Sequence, residues 1–443
     1  MNLKKIPPAF KIFASFIVVI LIGFLLFLLP ISTKTGVRMK AIDALFASFS
    51  AVCVTGMTTF PNIGAALSIF GKIVLAFLIQ IGGLGFITVA VFIMIFLGIK
   101  IGVVDRFLIK EALNQKSSKG VLRLIKSIIF TSLIIEGIGA IGYFIFFIQD
   151  FSFWEALGMS IFHAISAFNN CGIDLLGSNS FILYKDNILF NLTTAILIIL
   201  GGIGFIVIQD VITNRRWSKL SIHSRIVLPL TGILLVTGTI LLKASEGLTN
   251  EDFTWLQAFF QSVVARTAGF STISFGNLNI VSLLIIAALM FIGAAPSSTG
   301  GGIKITTFYT MFKSILSFSR GKKTITYDRW ISEDTKLRAF TLTTLSITTI
   351  FIATLLLLAI EMNNPLYEVT LHKILFEATS AFATVGLTLG ITPYLYTGSK
   401  IVLCFLMLFG RLGPLTMISL WNRNWNKNEV SNVRYVEEKI ILG

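Results

Sequence analysis

Glycine recurs four times in this chain in a shared frame, at Gly56, Gly172, Gly269 and Gly386. Each closes a short, weakly hydrophobic segment lying between two long apolar runs. The segments read SAVCVTGM (50–57), SAFNNCGI (166–173), VVARTAGF (263–270) and SAFATVGL (380–387). A phenylalanine stands ten residues before every one of the glycines: Phe46, Phe162, Phe259 and Phe376. Ser-Ala opens three of the four segments. The spacing defines an internal repeat of roughly a hundred residues. It constrains the fold strongly, because four glycines in similar frames point to four backbone segments meeting at one axis.

The runs around these segments belong to a membrane protein. Apolar residues make up 55% of the chain and charged residues 13%, against about 25% charged in soluble domains. Mean hydropathy is +0.87. Runs that approach or exceed the ~20 residues needed to span hydrocarbon include 12–29, 73–98, 128–148, 188–208, 226–242, 281–295 and 340–360. The run at 401–409 extends through Gly413-Pro414 to about Leu420. The first run is too long for a signal-peptide core, and Pro30-Ile31-Ser32 is unlike a cleavage site.

The net charge of +15 does not indicate nucleic acid, because its distribution follows the membrane. Basic residues cluster at the N-terminus (Lys4, Lys5, Lys11), in 100–126, in 215–225, in 313–338 and in the C-terminal tail. They alternate with loops carrying Asp150, Asp174, Glu246, Glu251, Asp252, Glu361 and Glu368. This bias places both termini and the linkers between repeats in the cytoplasm. No Cys/His spacing resembles a metal site or a disulfide framework.

Each repeat then reads as spanning helix, half-depth segment, spanning helix. The expected elements are 12–29, 42–51 and 70–98; 122–148, 153–168 and 188–213; 224–243, 253–265 and 279–316; and 338–361, 367–383 and 398–420. That makes eight spans and four re-entrant half-helices in four parallel repeats, 1–105, 106–218, 219–330 and 331–425, with a cytoplasmic tail at 426–443. Non-helical backbone at membrane depth is tolerated only where it is buried in protein or lines water. The stretches ending at the four glycines are therefore expected to line a central cavity. The C-terminal ends of the preceding half-helices carry partial negative charge, which favours a cation there.

Glycine suits such a turn, since it reaches positive φ without a Cβ penalty and allows chains to approach closely. A ring of backbone carbonyls can replace the hydration shell of a cation. The one carboxylate near these segments is Asp174, so carbonyl ligation is favoured over an acidic ring. Gly82-Gly83-Leu84-Gly85-Phe86 and Gly201-Gly202-Ile203-Gly204-Phe205 match each other in the second helices of the first two repeats, and read as packing faces or a vestibule wall. The corresponding helix of the third repeat contains Gly293-Ala294-Ala295-Pro296-Ser297-Ser298-Thr299-Gly300-Gly301-Gly302-Ile303-Lys304, which cannot sustain a regular helix. Arg411 lies in an apolar span, where an ionisable residue marks function. Its two readings are snorkelling to the surface and reaching carbonyls or hydroxyls of 293–302.

These residues together resemble the Trk/Ktr/HKT superfamily of potassium transporters, and within it the Ktr system membrane subunit of KtrB/KtrD type. The resemblance spans nearly the whole chain. It implies outer helix, pore helix and inner helix in each repeat around a single central pore, and potassium uptake across the plasma membrane, often sodium-dependent. It maps a selectivity filter to Val54-Thr55-Gly56, Asn170-Cys171-Gly172, Thr267-Ala268-Gly269 and Thr384-Val385-Gly386. It identifies 293–304 as an intramembrane gate loop and Arg411 as its pore arginine. In some relatives the first filter position is Ser and sodium is preferred; Gly56 points to potassium. The resemblance also implies a homodimer on a cytosolic ring of nucleotide-binding regulatory subunits (KtrA/KtrC type). The chain itself carries no P-loop or Rossmann fingerprint, and no cofactor is expected in it.

Two features depart from potassium channels. No segment keeps a full Thr-Val-Gly-Tyr-Gly, which leaves fewer carbonyl rings for selectivity over sodium. Arg266 also precedes the third filter, with Glu136 and Glu377 as candidate partners. The competing reading is a sodium-coupled secondary transporter of a small organic solute, which would favour inverted repeats and a midplane site. An embedded enzyme lacks an HExxH motif, paired intramembrane aspartates or a Ser/His dyad.

Overall fold

The computed structural model describes residues 8–417, apart from 37, 100, 103–105, 107–109, 111–119, 178–179, 251 and 415. Lys4 and Lys5, most of the 100–119 basic run, Ser178-Asn179, Glu251 and the tail at 426–443 lie outside the described residues.

The chain opens with helix α1 (Pro8–Leu28), a short helix α2 (Ala41–Val52), and the pair α3 (Ile69–Leu84) and α4 (Phe86–Phe96). The order long, short, interrupted then recurs. It gives α5 (Val121–Asp150), α6 (Phe153–Phe168), α7 (Ile188–Ile203) and α8 (Phe205–Asn214). Next come α9 (Ile222–Glu246), α10 (Trp255–Val264), α11 (Ile280–Phe291) and α12 (Ile305–Ser319). A hairpin of β1 (Ile325–Thr326) and β2 (Arg329–Trp330) follows. The last set is α13 (Glu333–Glu361), α14 (Leu371–Ala383) and α15 (Thr397–Leu412).

Local sequence explains where the helices begin. Ser68, Asn187 and Asn279 accept the amides of Gly71, Phe190 and Ser282 at the starts of α3, α7 and α11, satisfying donors that a helix N-terminus leaves free. Thr254 and Gln257 form a capping box at α10. Ser332 caps α13, whose first turn carries Glu333 and Asp334 against the helix dipole.

Helices α1, α5, α9 and α13 are long and apolar enough to cross a membrane. They turn large apolar side chains outward: Leu25 is 61% exposed, Ile138 66% and Ile141 67%. Such a surface is stable in hydrocarbon, where the helical backbone satisfies its own polar groups. The protein is a multi-pass membrane protein.

The second helices differ from the straight spans read from sequence. The α3–α4 pair bends by 98° at Gly85 and the α7–α8 pair by 93° at Gly204. Both glycines hold positive φ, 84° and 91°, which a side chain rarely adopts. The two Gly-Gly-x-Gly-Phe stretches are thus corners rather than packing faces alone. In the third set the interruption falls at 292–304, where a break was expected. In the last, α15 ends at Leu412 before Gly413 at φ 83°; Pro414, Thr416 and Met417 are again helical, and the expected end at Leu420 lies outside the described residues.

The short helices pack cyclically between sets. Helix α3 packs on α6, α7 on α10, α11 on α14, and α15 returns to α2. Lys400 on α15 pairs with Asp43 on α2 at 2.9 Å across this last junction. Within sets, the carboxylate ending a long helix clamps the start of the next span. Glu246 accepts the Asn279 amide at 2.9 Å and Glu361 the Tyr396 amide at 2.8 Å.

Candidate functional site

The four glycine segments leave the C-termini of α2, α6, α10 and α14 and converge. A Cβ added to Gly56 would overlap the Cys171 carbonyl oxygen. One on Gly172 would overlap the Gly269 amide nitrogen, and one on Gly386 the Thr55 carbonyl oxygen. On Gly269 it would lie 3.0 Å from Gly386 C and Val385 O. Each segment therefore touches the next, and the fourth returns to the first. Val54, Thr55, Asn170, Cys171, Ala268, Thr384 and Val385 are fully buried there, and Thr267 nearly so.

Serine explains why three of these turns share one geometry. Val54, Asn170 and Thr384 adopt φ of 56°, 58° and 52°, and Gly56, Gly172 and Gly386 follow at 94°, 78° and 92°. Thr55, Cys171 and Val385 donate their amides back to Ser50, Ser166 and Ser380 carbonyls at 2.8, 2.8 and 3.0 Å. The same serines use their hydroxyls on the turn. Ser50 and Ser380 Oγ accept the Gly56 and Gly386 amides at 3.1 Å, and Ser166 Oγ donates to the Ile173 carbonyl at 2.7 Å. The third segment has Val263 at this position and no hydroxyl. Its backbone differs accordingly: Ala268 donates to Val264 at 2.9 Å, and neither Thr267 nor Gly269 enters the left-handed region.

Residues 293–304 lie directly against this ring. Gly301 donates its amide to Thr384 Oγ1 at 3.0 Å. The Asn170 side-chain amide meets Thr299 Oγ1 at 2.7 Å, and the same hydroxyl donates to the Phe168 carbonyl at 3.2 Å. The segment is held from the second set as well, with Ala295 donating to Gly202 at 2.9 Å and Phe205 to the Ser297 carbonyl at 3.0 Å. Its own ends meet where Gly293 donates to Ile303 at 2.9 Å. Ser297 and Gly302 take positive φ, 56° and 69°. Pro296 lacks an amide hydrogen and three consecutive glycines follow at 300–302, which together disfavour a helix here. Lys304 Nζ donates to the Gly300 carbonyl at 2.6 Å.

Arg411 follows the second of its two sequence readings. Its guanidinium donates to the Thr299 carbonyl and, from the opposite side, to the Gly82 carbonyl and to Gly83 O at 3.1 Å. One side chain thus ties the segment to the corner of the first set. The planar fork of arginine suits several carbonyls at once. A cavity of about 350 Å³ opens on the far side, lined among others by Gly85, Ser298, Gly302, Lys304, Thr307 and Arg411.

Arg266 has neither of the carboxylate partners considered from sequence. It is 7% exposed and donates to the Gly293 carbonyl at 3.3 Å, at the start of the broken segment. Glu136 instead accepts from Asn169 at 3.0 Å and Gln80 at 3.1 Å, bracing the residue that precedes the second turn. Glu377 accepts from Thr388, from the Leu389 amide at 3.0 Å and from Thr392 at 3.0 Å, fixing the chain that leaves Gly386. His163 donates to the Met159 carbonyl at 2.7 Å and accepts the Leu175 amide at 3.3 Å. These supports were missed from sequence; the available signal was a Glu or His inside an apolar helix. Asp174 accepts the Leu176 amide at 3.0 Å, closing its own loop.

The arrangement brings together four converging backbone turns, no carboxylate in the ring, and a cavity of mixed polar and apolar lining behind a non-helical segment. The family model for TrkH, described as a cation transport protein, matches residues 9–242 and 233–426. The chain belongs to this family. It is 38% identical to Ktr system potassium uptake protein B of Bacillus subtilis, over 99% of this chain and 97% of that one. It is 36% identical to the potassium/sodium uptake protein NtpJ of Enterococcus hirae, over 99% and 98%. The crystal structure of the potassium transporter TrkH from Vibrio parahaemolyticus superposes with a TM-score of 0.70 at 21% identity, covering 93% of this chain and 86% of that chain. That likeness shows the fold of this TrkH-family member.

Proposed function

We propose that this chain is the membrane subunit of a potassium uptake system and that the four glycine turns form its selectivity filter. The observation that carries the reading is the cyclic contact of Gly56, Gly172, Gly269 and Gly386 through their backbones. In such a ring the ligands are the carbonyls of 54–56, 170–172, 267–269 and 384–386, which substitute for water around a dehydrated cation. The repeats surround a single pore, and the distribution of lysine and arginine favours both termini facing the cytoplasm.

Residues 293–304 act as the gate. They close the path between the filter, which they touch through Thr384 and Asn170, and the cavity beside Lys304. Arg411 holds the closed position. Opening withdraws the segment from Arg411, Thr384 and Asn170, so control comes from whatever shifts α12 or α15. A cytosolic ring of nucleotide-binding subunits beneath a homodimer of this chain would supply that control. The sharing of sodium with potassium is a second reading, favoured by the name of the Enterococcus hirae relative.

The test is complementation of a potassium-uptake-deficient bacterium at limiting potassium, with and without a co-expressed regulatory ring subunit. Growth restored by the chain supports the reading. Saturable amino-acid uptake in proteoliposomes, without rubidium flux, replaces it with an organic-solute transporter.

A further inference from the structure

Helix α12 ends in a cluster of cations that the ion pathway does not use. Lys313, Arg320, Lys322 and Lys323 line a recess of about 500 Å³ together with Ser317. Among the described residues, no ion pair involves any of the four. Helix capping does not occupy them either. The Gly321 amide donates to Phe318 O and the Lys322 amide to Ser317 O, both at 2.9 Å, with Gly321 at φ 62°. This backbone motif already satisfies the last carbonyls of the helix, so the four side chains remain available to a ligand.

The opposite wall of the recess is fixed. The β1–β2 hairpin is tied to α12 by Tyr309 and Thr326, whose hydroxyls lie 3.1 Å apart. It is tied to α9 by Tyr327, which donates to the Arg225 carbonyl at 3.2 Å and lies 5.7 Å beneath the Arg225 guanidinium. The cations therefore face a built recess rather than a free tail.

A second feature selects the occupant. Ile325, which lines the recess, is 51% exposed, and its cross-strand partner Trp330 is 58% exposed. Apolar and aromatic side chains beside unpaired cations match the boundary between acyl chains and headgroups. An acidic protein would use the charges and leave Ile325 and Trp330 in water, whereas an anionic lipid uses both. We infer that the recess between the end of α12 and the β1–β2 hairpin binds the phosphate headgroup of an anionic phospholipid. The inference is independent of whether 293–304 gates a pore.

The test uses the purified full chain in neutral detergent, with melting followed against short-chain dioctanoyl phosphatidylglycerol, dioctanoyl phosphatidylcholine, inorganic phosphate and a hexaglutamate peptide. Phosphatidylglycerol is expected to stabilise the protein saturably where phosphatidylcholine does not. In a variant carrying Lys313→Gln, Arg320→Gln, Lys322→Gln and Lys323→Gln the apparent dissociation constant rises at least about tenfold, as losing several cations near an anionic headgroup requires. A control with Arg215→Gln and Arg216→Gln, exposed elsewhere among the basic linkers, keeps the wild-type response. The proposal is overturned if phosphatidylcholine stabilises equally, or if the quadruple variant retains wild-type binding. It is also overturned if the control loses binding equally, if inorganic phosphate acts at the same concentration, or if the peptide alone binds.

Discussion

Arg411 on α15 donates to the carbonyl of Thr299, in the middle of the broken segment, while its other nitrogen reaches Gly82 and Gly83 at the corner of the first set. Hydrogen bonds from a charged donor contribute about 1.5–3 kcal/mol each, and the closed position has three of them. Arg411→Ala should raise basal rubidium flux in proteoliposomes by at least about tenfold, since each 1.4 kcal/mol is a factor of ten in an equilibrium. Arg411→Lys should fall between the two, because a single ammonium cannot span carbonyls on both sides. Flux at or below wild type with normal protein levels would remove the bracing role.

Serine substitution should grade the filter positions. Gly56 sits at φ 94° with its Cβ direction blocked by the Cys171 carbonyl, whereas Gly269 avoids the left-handed region and would bring a Cβ to 3.0 Å from Gly386. Gly56→Ser should lower the ratio of potassium to sodium flux more than Gly269→Ser. Equal, unchanged ratios in both would make these glycines structural only.

Ser380 Oγ holds the Gly386 amide at 3.1 Å. Ser380→Ala leaves a buried amide without its acceptor, costing about 1–3 kcal/mol. The expected result is weaker apparent potassium affinity with protein levels near wild type. No change in affinity would show that the turn holds without the hydroxyl.

How much of this was legible follows from where the constraint lies. The glycine frame is visible in sequence because a left-handed φ favours glycine at Gly56, Gly172 and Gly386 and close approach to Gly386 favours it at Gly269, and the Ser-Ala that precedes three of the four matches the hydroxyl bonds made by Ser50, Ser166 and Ser380. The 98° and 93° corners were hidden, because residues on both sides of Gly85 and Gly204 are apolar and hydropathy runs unbroken through the bend. Arg411's contact with 293–302 was one of two readings from sequence, but its partners Gly82 and Gly83 were not foreseen. Backbone carbonyl acceptors leave no mark in side-chain identity. The same holds for Arg266, whose acceptor is the Gly293 carbonyl rather than a carboxylate.

The Lys400–Asp43 pair, 2.9 Å apart with side chains only 10% and 13% exposed, joins the last set to the first. Removing one partner of a largely buried pair strands the other charge. Lys400→Met or Asp43→Leu alone should cost about 2–3 kcal/mol, read as a lower melting temperature in detergent. The double variant should recover most of the loss. Full additivity of the two single losses would show that the pair is not coupled.

The most direct measurement is the ratio of potassium to sodium flux through the purified chain in proteoliposomes, compared with Gly386→Ser. The account predicts saturable potassium flux exceeding sodium flux in the wild type, and a ratio that falls toward one in the variant. Potassium flux no greater than in protein-free vesicles, or a ratio unchanged by the substitution, would contradict a filter built from the four glycine turns.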